Sequence, residues 1–331
     1  MNSIVLSESK THLLQYIRSL QYHCGWTDGH RNSLQGLSKD SGEWLPALHN
    51  IHSLGLANIR IDRLSEEELH GCFSAFRETL TDLTLGNFVT SFTAFVTLVD
   101  YFPNITALQL GLFSLEPDEG PVPSLSRPLR GKISIFPSHP NCFEFIDRLA
   151  MLDLEYEELV IEPAFMFEFA RAGFLERILQ FGASTVECLR LLCGPEREYP
   201  LRTVLIACSY SAFHLSDGAT TVNHFQQLRV LELIPSRTCE VLFSSITSTE
   251  FRKIILQVFH VPDFGIHIQG IGMWPAIDRQ LCEFLARMGR MGYSHTLQVE
   301  LRVIDHKFIP KNYDLTGLLA KFREKGVVTV I

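Results

Sequence analysis

The 331-residue sequence lacks the motifs that mark the commonest classes of enzyme. Its eight cysteines include no C-x-x-C pair, which excludes the usual zinc-ribbon and redox spacings. The Gly270-Ile271-Gly272 segment lacks the third glycine of a dinucleotide-binding loop, and no Walker lysine motif is present. Ser294 lacks the glycine two residues later that a nucleophile elbow requires. We therefore predict no enzyme activity, no catalytic residues and no cofactor.

Positive charge is also scarce, and long apolar runs are absent. The net charge is −8, and basic residues form no run longer than scattered pairs such as Arg252-Lys253. Because nucleic-acid binding depends on clustered Lys and Arg, we expect no nucleic-acid partner. No window approaches 18 uncharged apolar residues, so we expect no membrane partner. With cysteines in apolar surroundings and no signal-peptide pattern, the sequence favours a cytoplasmic or nuclear location.

One group of residues could supply metal ligands, namely His260, Asp263 and His267. Imidazole and carboxylate groups suit zinc, but their spacing here matches neither a helix face nor a known zinc signature. Pro262 and Gly265 indicate a loop in this region. We predict no metal site and interpret these side chains as ordinary loop polarity.

What the sequence does contain is a recurring apolar pattern, apolar-x-x-apolar-x-apolar. It is clearest at Leu80-x-x-Leu83-x-Leu85 and returns at intervals of 25 to 30 residues. Such intervals lie within or just beyond the range of leucine-rich repeats. The central residues of one uninterrupted run, which we call the anchor residues, are Leu54, Leu83, Leu108, Ile133, Leu159 and Leu189.

The pattern predicts eleven strands separated in most cases by helices. The predicted strands are 17–22, 51–56, 80–85, 105–110, 131–136, 156–161, 186–192, 228–233, 251–258, 297–303 and 327–331. Residues with helical periodicity occupy 65–79, 91–102, 141–151, 164–181, 275–289 and 314–325. Weakly periodic or turn-rich residues predict loop insertions at 21–50, 112–130, 193–225 and 258–275.

A strand and a helix repeated at a nearly constant period predict an α/β fold of one type. We expect an irregular leucine-rich-repeat solenoid, or horseshoe, with a curved parallel sheet on its concave side and helices on its convex side. Residues 1–331 would form a single domain of about ten strand–helix units. The architecture favours binding over catalysis.

The positions between the apolar residues of each strand predict where a ligand would bind. Because strand side chains alternate, residues beside the buried anchors face the opposite surface of the sheet. In stacked repeats these residues line up across neighbouring strands. The predicted protein-binding residues on this concave face are Asp82, Thr84, Gln109, Glu158, Arg190, Glu232, Lys253, Gln298, Glu300 and Arg302.

Several segments resemble the leucine-rich region of fungal F-box-type proteins. They are residues 16–20 (YIRSL), 44–54 (WLPALHNIHSL), 76–85 (FRETLTDLTL) and 102–110 (FPNITALQL). The resemblance implies a leucine-rich-repeat fold and a role as a substrate receptor in ubiquitin ligation. In such families an F-box of roughly 40–50 residues precedes the repeats, whereas here about 15 residues precede the first predicted strand. We therefore expect a relative that keeps the recognition half without the F-box.

These observations predict a non-enzymatic scaffold that binds a protein partner. Association with a ubiquitin-ligase scaffold is one form of this function that the resemblance leaves open. The alternative is a hydrolase-type enzyme on an irregular α/β fold, which would need a histidine and a carboxylate in contact within a pocket. A relative that has lost its partner is a third interpretation that the sequence leaves open.

Overall fold

The structure is a computed structural model of the full chain. It describes residues 14–23, 45–61, 66–111, 113–116, 123–136, 142–152, 154–161, 185–191, 225–233, 239–258, 260–261, 267–268, 274–303 and 314–331. The chain divides into two compact units, Met1–Leu154 and Glu155–Ile331, where the sequence predicted one domain. Eleven strands pair in parallel in an open sheet, which confirms the prediction of an α/β fold with parallel strands. The horseshoe curvature stays a prediction.

In the first unit, five strands pair in the order in which they occur along the chain. They are β1 (Ser19–His23), β2 (Ser53–Ala57), β3 (Asp82–Gly86), β5 (Ala107–Leu110) and β7 (Leu129–Ile135). The short strands β4 (Phe88–Thr90) and β6 (Phe113–Leu115) pair separately. The α-helices are α1 (Glu66–Phe73), α2 (Phe92–Tyr101) and α3 (Cys142–Leu149), and 3-10 turns occupy Leu45–Ala47 and Ser74–Phe76.

In the second unit, six strands also pair in chain order. They are β8 (Leu154–Ile161), β9 (Cys188–Leu191), β10 (Val230–Leu233), β11 (Lys253–Val258), β14 (Gln298–Val303) and β15 (Val327–Val330). The helices are α4 (Cys239–Ser245), α5 (Trp274–Arg290) and α6 (Ala320–Arg323), with a 3-10 turn at Leu315–Leu319 before α6. Two further short strands, β12 (His260–Val261) and β13 (His267–Ile268), pair in antiparallel fashion.

The anchor residues stand side by side in the strand register. In the first unit Leu54 pairs with Leu83, which precedes Leu108 and then Ile133 on successive strands. In the second unit the aligned row is Leu159, Leu189, Leu231, Ile254, Val299 and Val328. Leu54, Leu83 and the other predicted anchors are 0–1% exposed. Their burial supplies the hydrophobic stabilisation that fixes strand register, because a one-residue slip would turn every anchor to the other face.

Strands β2, β3, β5, β10 and β11 each begin with the same pair of hydrogen bonds to the chain just before the preceding strand. The carbonyl of Thr81 accepts from the backbone N–H groups of Thr106 and Ala107 at 2.8 and 3.0 Å. The carbonyls of His52 and Arg229 each accept from two successive N–H groups in the same way. The repeat in sequence therefore corresponds to a repeat in backbone geometry.

A second regularity follows strands β2 and β3. Asn58 and Asn87, each directly after its strand, have positive φ angles of 56° and 47°. The Asn87 side-chain amide donates to the Asn58 side-chain oxygen at 2.6 Å. Asparagine tolerates this left-handed conformation better than most residues, so it suits the bend that follows each strand. The turn leads from β3 into β4, which the sequence pattern did not predict.

The predicted helices in the described part of the chain are confirmed, most with shorter bounds, although α5 extends one residue beyond the predicted 275–289 at each end. Helix α2 starts where expected, because the Ser91 side chain accepts from the Ala94 backbone N–H at 3.1 Å. The Asp314 side chain caps the last helical segment by accepting from the Gly317 N–H at 3.1 Å. The predicted helix 164–181 lies outside the described residues. Helix α4 has no counterpart in the sequence prediction.

The predicted loop insertions contain regular structure at their ends and within them. Residues 258–275 include β12 and β13 as well as the start of α5, and 112–130 include β6 and the start of β7. Residues 21–50 include the end of β1 and the 3-10 turn at Leu45–Ala47. Strands of two or three residues are too short to show a periodic pattern, which is why they were missed. Most of the insertion 193–225 lies outside the described residues.

Candidate binding surface

Three of the predicted binding residues lie in the first unit. Asp82 and Thr84 occupy β3, and Gln109 occupies β5. Thr84 and Gln109 are register partners on adjacent strands, while Asp82 pairs with Ala107. Asp82 and Gln109 are exposed and Thr84 is half-buried. The alternation between these residues and the buried anchors is as predicted.

The other seven predicted residues lie in the second unit on β8, β9, β10, β11 and β14. Arg190 and Glu232 are register partners, as are Lys253 and Gln298. All seven stand next to buried apolar residues of the aligned row or of the same face along their strands. We call this set the polar strand surface: Glu158, Arg190, Glu232, Lys253, Gln298, Glu300 and Arg302.

Glu232 is the centre of this surface, and its side chain is completely buried. One carboxylate oxygen, Oε2, lies 3.1 Å from Arg190 Nη1. The other oxygen, Oε1, accepts from Gln257 Nε2 at 3.1 Å and forms an ion pair with Arg302. Glu232 lies on the predicted face of its strand, but neighbouring side chains cover it completely. Neighbouring polar side chains bury it and also pair with its charge, as a buried carboxylate requires.

The Arg302 side chain reaches Glu232 across an intervening strand. Arg302 lies on β14 and Glu232 on β10, with β11 between them. Ile255, the β11 residue that is register partner to both Glu232 and Glu300, is only 4% exposed. Ile255 is therefore a buried apolar residue between the polar side chains of the neighbouring strands.

Arg190 continues the ion-pair chain to the next strand. Its Nε lies 2.9 Å from Glu158 Oε1, while its Nη1 contacts Glu232. Glu158, Arg190, Glu232, Gln257 and Arg302 are thus connected side chain to side chain over five neighbouring strands. The Arg190 and Arg302 side chains are each 34% exposed. The connected side chains are therefore fixed by the buried Glu232 carboxylate, while part of each arginine side chain is accessible to solvent.

A second ion pair lies beside this chain. Lys253 Nζ contacts Glu300 Oε1, with side chains 31% and 15% exposed. Gln298, the register partner of Lys253, is exposed. The polar strand surface thus contains three acidic and three basic side chains, and their formal charges cancel.

Cys188 lies in the same surface beside Arg190. Burial raises the pKa of its thiol, the Arg190 guanidinium lowers it, and Glu158 and Glu232 raise it. The net effect is a pKa above the ordinary value, so the group is a neutral thiol at neutral pH. A neutral thiol is a poor nucleophile, and Cys188 belongs to the surface as a polar contact of Arg190.

Gln257 was missed by the sequence prediction, although the signal was present. It has the same strand parity as Lys253 and Ile255 on β11, so alternation places it on the same face. It is 4% exposed and donates to Glu232. What the sequence could not show is that this amide fixes a carboxylate on the neighbouring strand.

The structure describes two of the three residues that could have supplied metal ligands. His260 and His267 lie on β12 and β13, where Val261 is the register partner of His267. Asp263 lies outside the described residues. Among the residues that the structure describes, no group of three His, Cys, Asp or Glu side chains could hold a metal ion. Within the same part of the chain, no helix is both long and apolar enough to span a membrane.

Comparison with known proteins adds no family assignment. No known protein-family model matches the sequence, and no curated protein shows significant similarity to it.

Proposed function

We propose that this protein is a non-enzymatic interaction scaffold that binds another protein through the polar strand surface. The observation that carries the proposal is the connected chain of side chains around Glu232. Five neighbouring strands contribute to it, and the buried Glu232 carboxylate pairs with the partly exposed side chains of Arg190 and Arg302. Fold class and the parallel strand order alone would not distinguish a scaffold from an enzyme.

Pre-organisation is the physical reason why this surface suits binding. Fixing a flexible side chain at an interface costs about 0.5–1.5 kcal/mol, and a side chain already held by neighbours loses less. Arg190 and Arg302 are each held by Glu232, and Arg190 also by Glu158. Both can still donate to carboxylates or carbonyls of a partner from their exposed sides. Arginine is enriched in protein interfaces for this reason.

The balanced charge indicates the chemistry of the partner. A surface of alternating acidic and basic side chains is complementary to another protein surface with a matching alternation. In the first unit, Asp82, Thr84 and Gln109 would supply binding residues of the same kind on their own strands, within a fold that we propose to be a curved leucine-rich-repeat solenoid. The resemblance to F-box-type proteins gives the finer proposal that the partner is a substrate delivered for ubiquitin ligation. In that proposal, the contact with a ligase scaffold is made elsewhere.

A charge-swap experiment tests the surface without removing an ion pair. The variant Lys253→Glu/Glu300→Lys keeps the pair on β11 and β14 but reverses its polarity. The matched control is Arg279→Glu/Glu283→Arg, which swaps an exposed i, i+4 pair on α5. Partners would be captured on the tagged wild type and on both variants from extracts of cells that make the protein, and quantified by mass spectrometry.

The proposal expects a defined partner that the wild type and the helix swap recover equally and that the surface swap loses at least tenfold. Recovery of the same partners in equal amounts by all three proteins would contradict binding at the polar strand surface. A ligase scaffold subunit recovered equally by all three would support the finer proposal, because its contact lies away from this surface. Circular dichroism melts of the three proteins would verify equal folding.

A further inference from the structure

Strand β15 is the outermost strand of the second unit and presents an open edge. One of its edges pairs in parallel with β14, and within the described ranges of the chain no strand pairs with the other. Residues 327–331 (VVTVI) contain no charged residue and no proline. Such residues are what proteins commonly place on an edge strand to prevent its pairing with another chain. The sequence of β15 therefore does not protect this edge from pairing.

The backbone hydrogen bonds of β15 show which peptide groups face the open edge. The N–H groups of Val327 and Ile331 donate to carbonyls on the β14 side, at 3.3 and 3.1 Å. Along a strand, successive residues direct their N–H and C=O groups to opposite edges. The N–H and C=O groups of Val328 and Val330 therefore point away from β14 and into the open edge.

The buried apolar row of the second unit reaches this edge without being covered. Val330 is the register partner of Leu301, which is completely buried, yet Val330 is 42% exposed. Val328, on the same face of β15, is half-buried. A polar covering normally closes such a row at the end of a stack of strands and helices. Val330 is instead an apolar position that one further strand would cover.

We propose that the open edge of β15 pairs with β15 of a second copy of this chain, in antiparallel fashion about a two-fold axis at Thr329. In this register Val328 lies opposite Val330 of the second copy, so the groups that point into the open edge bond to each other. Residues that lie opposite each other in antiparallel strands share a face, and the apolar row therefore continues from one copy into the other.

The sequence of β15 favours a second copy over an unrelated strand. A two-fold axis requires an edge that is complementary to itself. Centred on Thr329, the register places Thr329 opposite itself and Val327 opposite Ile331, so every pair within 327–331 joins two β-branched residues. A shift by one residue would place Val330 opposite Thr329 and interrupt the apolar row. This inference does not depend on the proposed protein-binding function.

Sedimentation equilibrium of the full chain over a range of concentrations tests the association. We expect the wild type to show a monomer–dimer equilibrium that depends on concentration. Thr329→Lys places two ammonium groups opposite each other at the axis, and it should weaken the dimer at least tenfold. Thr249→Lys is the matched control, because Thr249 is exposed and lies outside β15, in the turn before β11. The control variant should associate as the wild type does.

A disulfide between introduced cysteines tests the register. Opposite residues that do not exchange hydrogen bonds have Cα atoms about 4.5 Å apart, a distance that a disulfide can bridge. Thr329→Cys should therefore form a bond between position 329 of the two copies on mild oxidation, and Thr249→Cys should form none between its own copies. Peptide mass spectrometry would identify the linked residues and separate them from links between native cysteines.

Three outcomes would overturn the proposal. One is a wild-type chain that stays monomeric at the highest concentration at which it is soluble. Another is a dimer that is as stable in Thr329→Lys as in Thr249→Lys, which would place the contact elsewhere. The third is a dimer of Thr329→Cys that oxidises without a bond between the two introduced cysteines. Circular dichroism melts of every variant would verify that each is folded.

Discussion

Asp278 on helix α5 caps helix α6 through two backbone hydrogen bonds. Its Oδ1 accepts from the Phe322 N–H at 2.8 Å, and its Oδ2 accepts from the Lys321 N–H at 3.0 Å. The carboxylate is 5% exposed, so these donors replace the water that it loses on folding. The first N–H groups of a helix lack acceptors within the helix. Here the distant Asp278 carboxylate accepts hydrogen bonds from two of them. Asp278 therefore connects the long helix to the last helix and, through it, to β15.

Asp278→Ala is expected to lower the free energy of unfolding by about 2–3 kcal/mol, the cost of losing hydrogen bonds from a charged helix cap. Urea unfolding monitored by circular dichroism would measure the change. Hydrogen exchange should show the largest loss of protection in residues 320–330. Arg279→Ala, at an adjacent exposed position, should change stability by less than about 0.5 kcal/mol. Equal effects of the two substitutions would contradict the capping role.

Gly131 occupies a position in β7 that excludes any side chain. Its φ angle is +93°, and a Cβ atom there would lie 2.2 Å from the Thr106 carbonyl oxygen. Gly131→Ala should therefore destabilise the protein by about 2 kcal/mol or more, since both strain and a steric clash oppose it. Gly289→Ala is the matched control, because no atom lies within 4 Å of the added Cβ on helix α5. That substitution should stabilise the protein by about 0.5–1 kcal/mol. Thermal melts giving changes of the same sign would refute this interpretation.

The positions of the eleven main strands were predictable because local apolar spacing determines them. Each predicted range overlaps one observed strand, and Leu54, Leu83 and Leu108 are in register although their spacings differ, 29 and 25 residues. The longer intervals were harder to interpret from sequence. Leu189 and Leu231 are 42 residues apart in sequence yet lie on adjacent strands. Register follows the apolar pattern of each strand and does not depend on the length of the connection.

The features that sequence could not supply depend on long-range partners. Alternation placed Glu232 on the expected face, but its burial results from Arg190 and Arg302, which are 42 and 70 residues away. The Asp278 cap joins residues 44 positions apart. Pairing of this kind leaves no periodic signal in a single sequence, because each residue looks like an ordinary surface residue of its own element.

Leu83→Asp tests the assignment of the anchor residues. Leu83 is 1% exposed between Leu54 and Leu108 on the flanking strands, so the substitution would bury an unpaired charge. We expect destabilisation of about 4 kcal/mol or more, seen as loss of folded protein or a much lower urea midpoint. Thr84→Asp places the same charge on the next residue, which faces the other side of β3. It should cost less than about 1 kcal/mol, and a reversed order of effects would contradict the register.

The ion pair between Glu232 and Arg302 should show energetic coupling. Glu232→Gln removes the carboxylate that pairs with Arg302, and we expect a loss of about 1–3 kcal/mol because both guanidinium groups can still be partly hydrated. Arg302→Gln removes the other partner. If the pair is direct, the double variant should be more stable than the sum of the single effects predicts, by about 1 kcal/mol. Urea unfolding of all four proteins provides the test, and strictly additive effects would refute the coupling.

The raised pKa of Cys188 predicts a slow reaction with thiol reagents. The raised value arises mainly from burial, which Arg190 opposes, so Arg190→Gln should raise the pKa further. Iodoacetamide labelling of Cys188, followed by peptide mass spectrometry across pH, would give the midpoint of the rate profile. We expect a midpoint above that of an ordinary thiol and a further shift to higher pH in Arg190→Gln. Easier access of the reagent would change only the plateau, so the midpoint isolates the charge effect. A midpoint that moves to lower pH in Arg190→Gln would contradict the contact between the guanidinium and the thiol.

The raised pKa of the Cys188 thiol also makes the stability of the protein depend on pH. The unfolded chain releases this proton at lower pH than the folded protein does. Stability should therefore fall as pH rises from the ordinary thiol pKa towards the raised one.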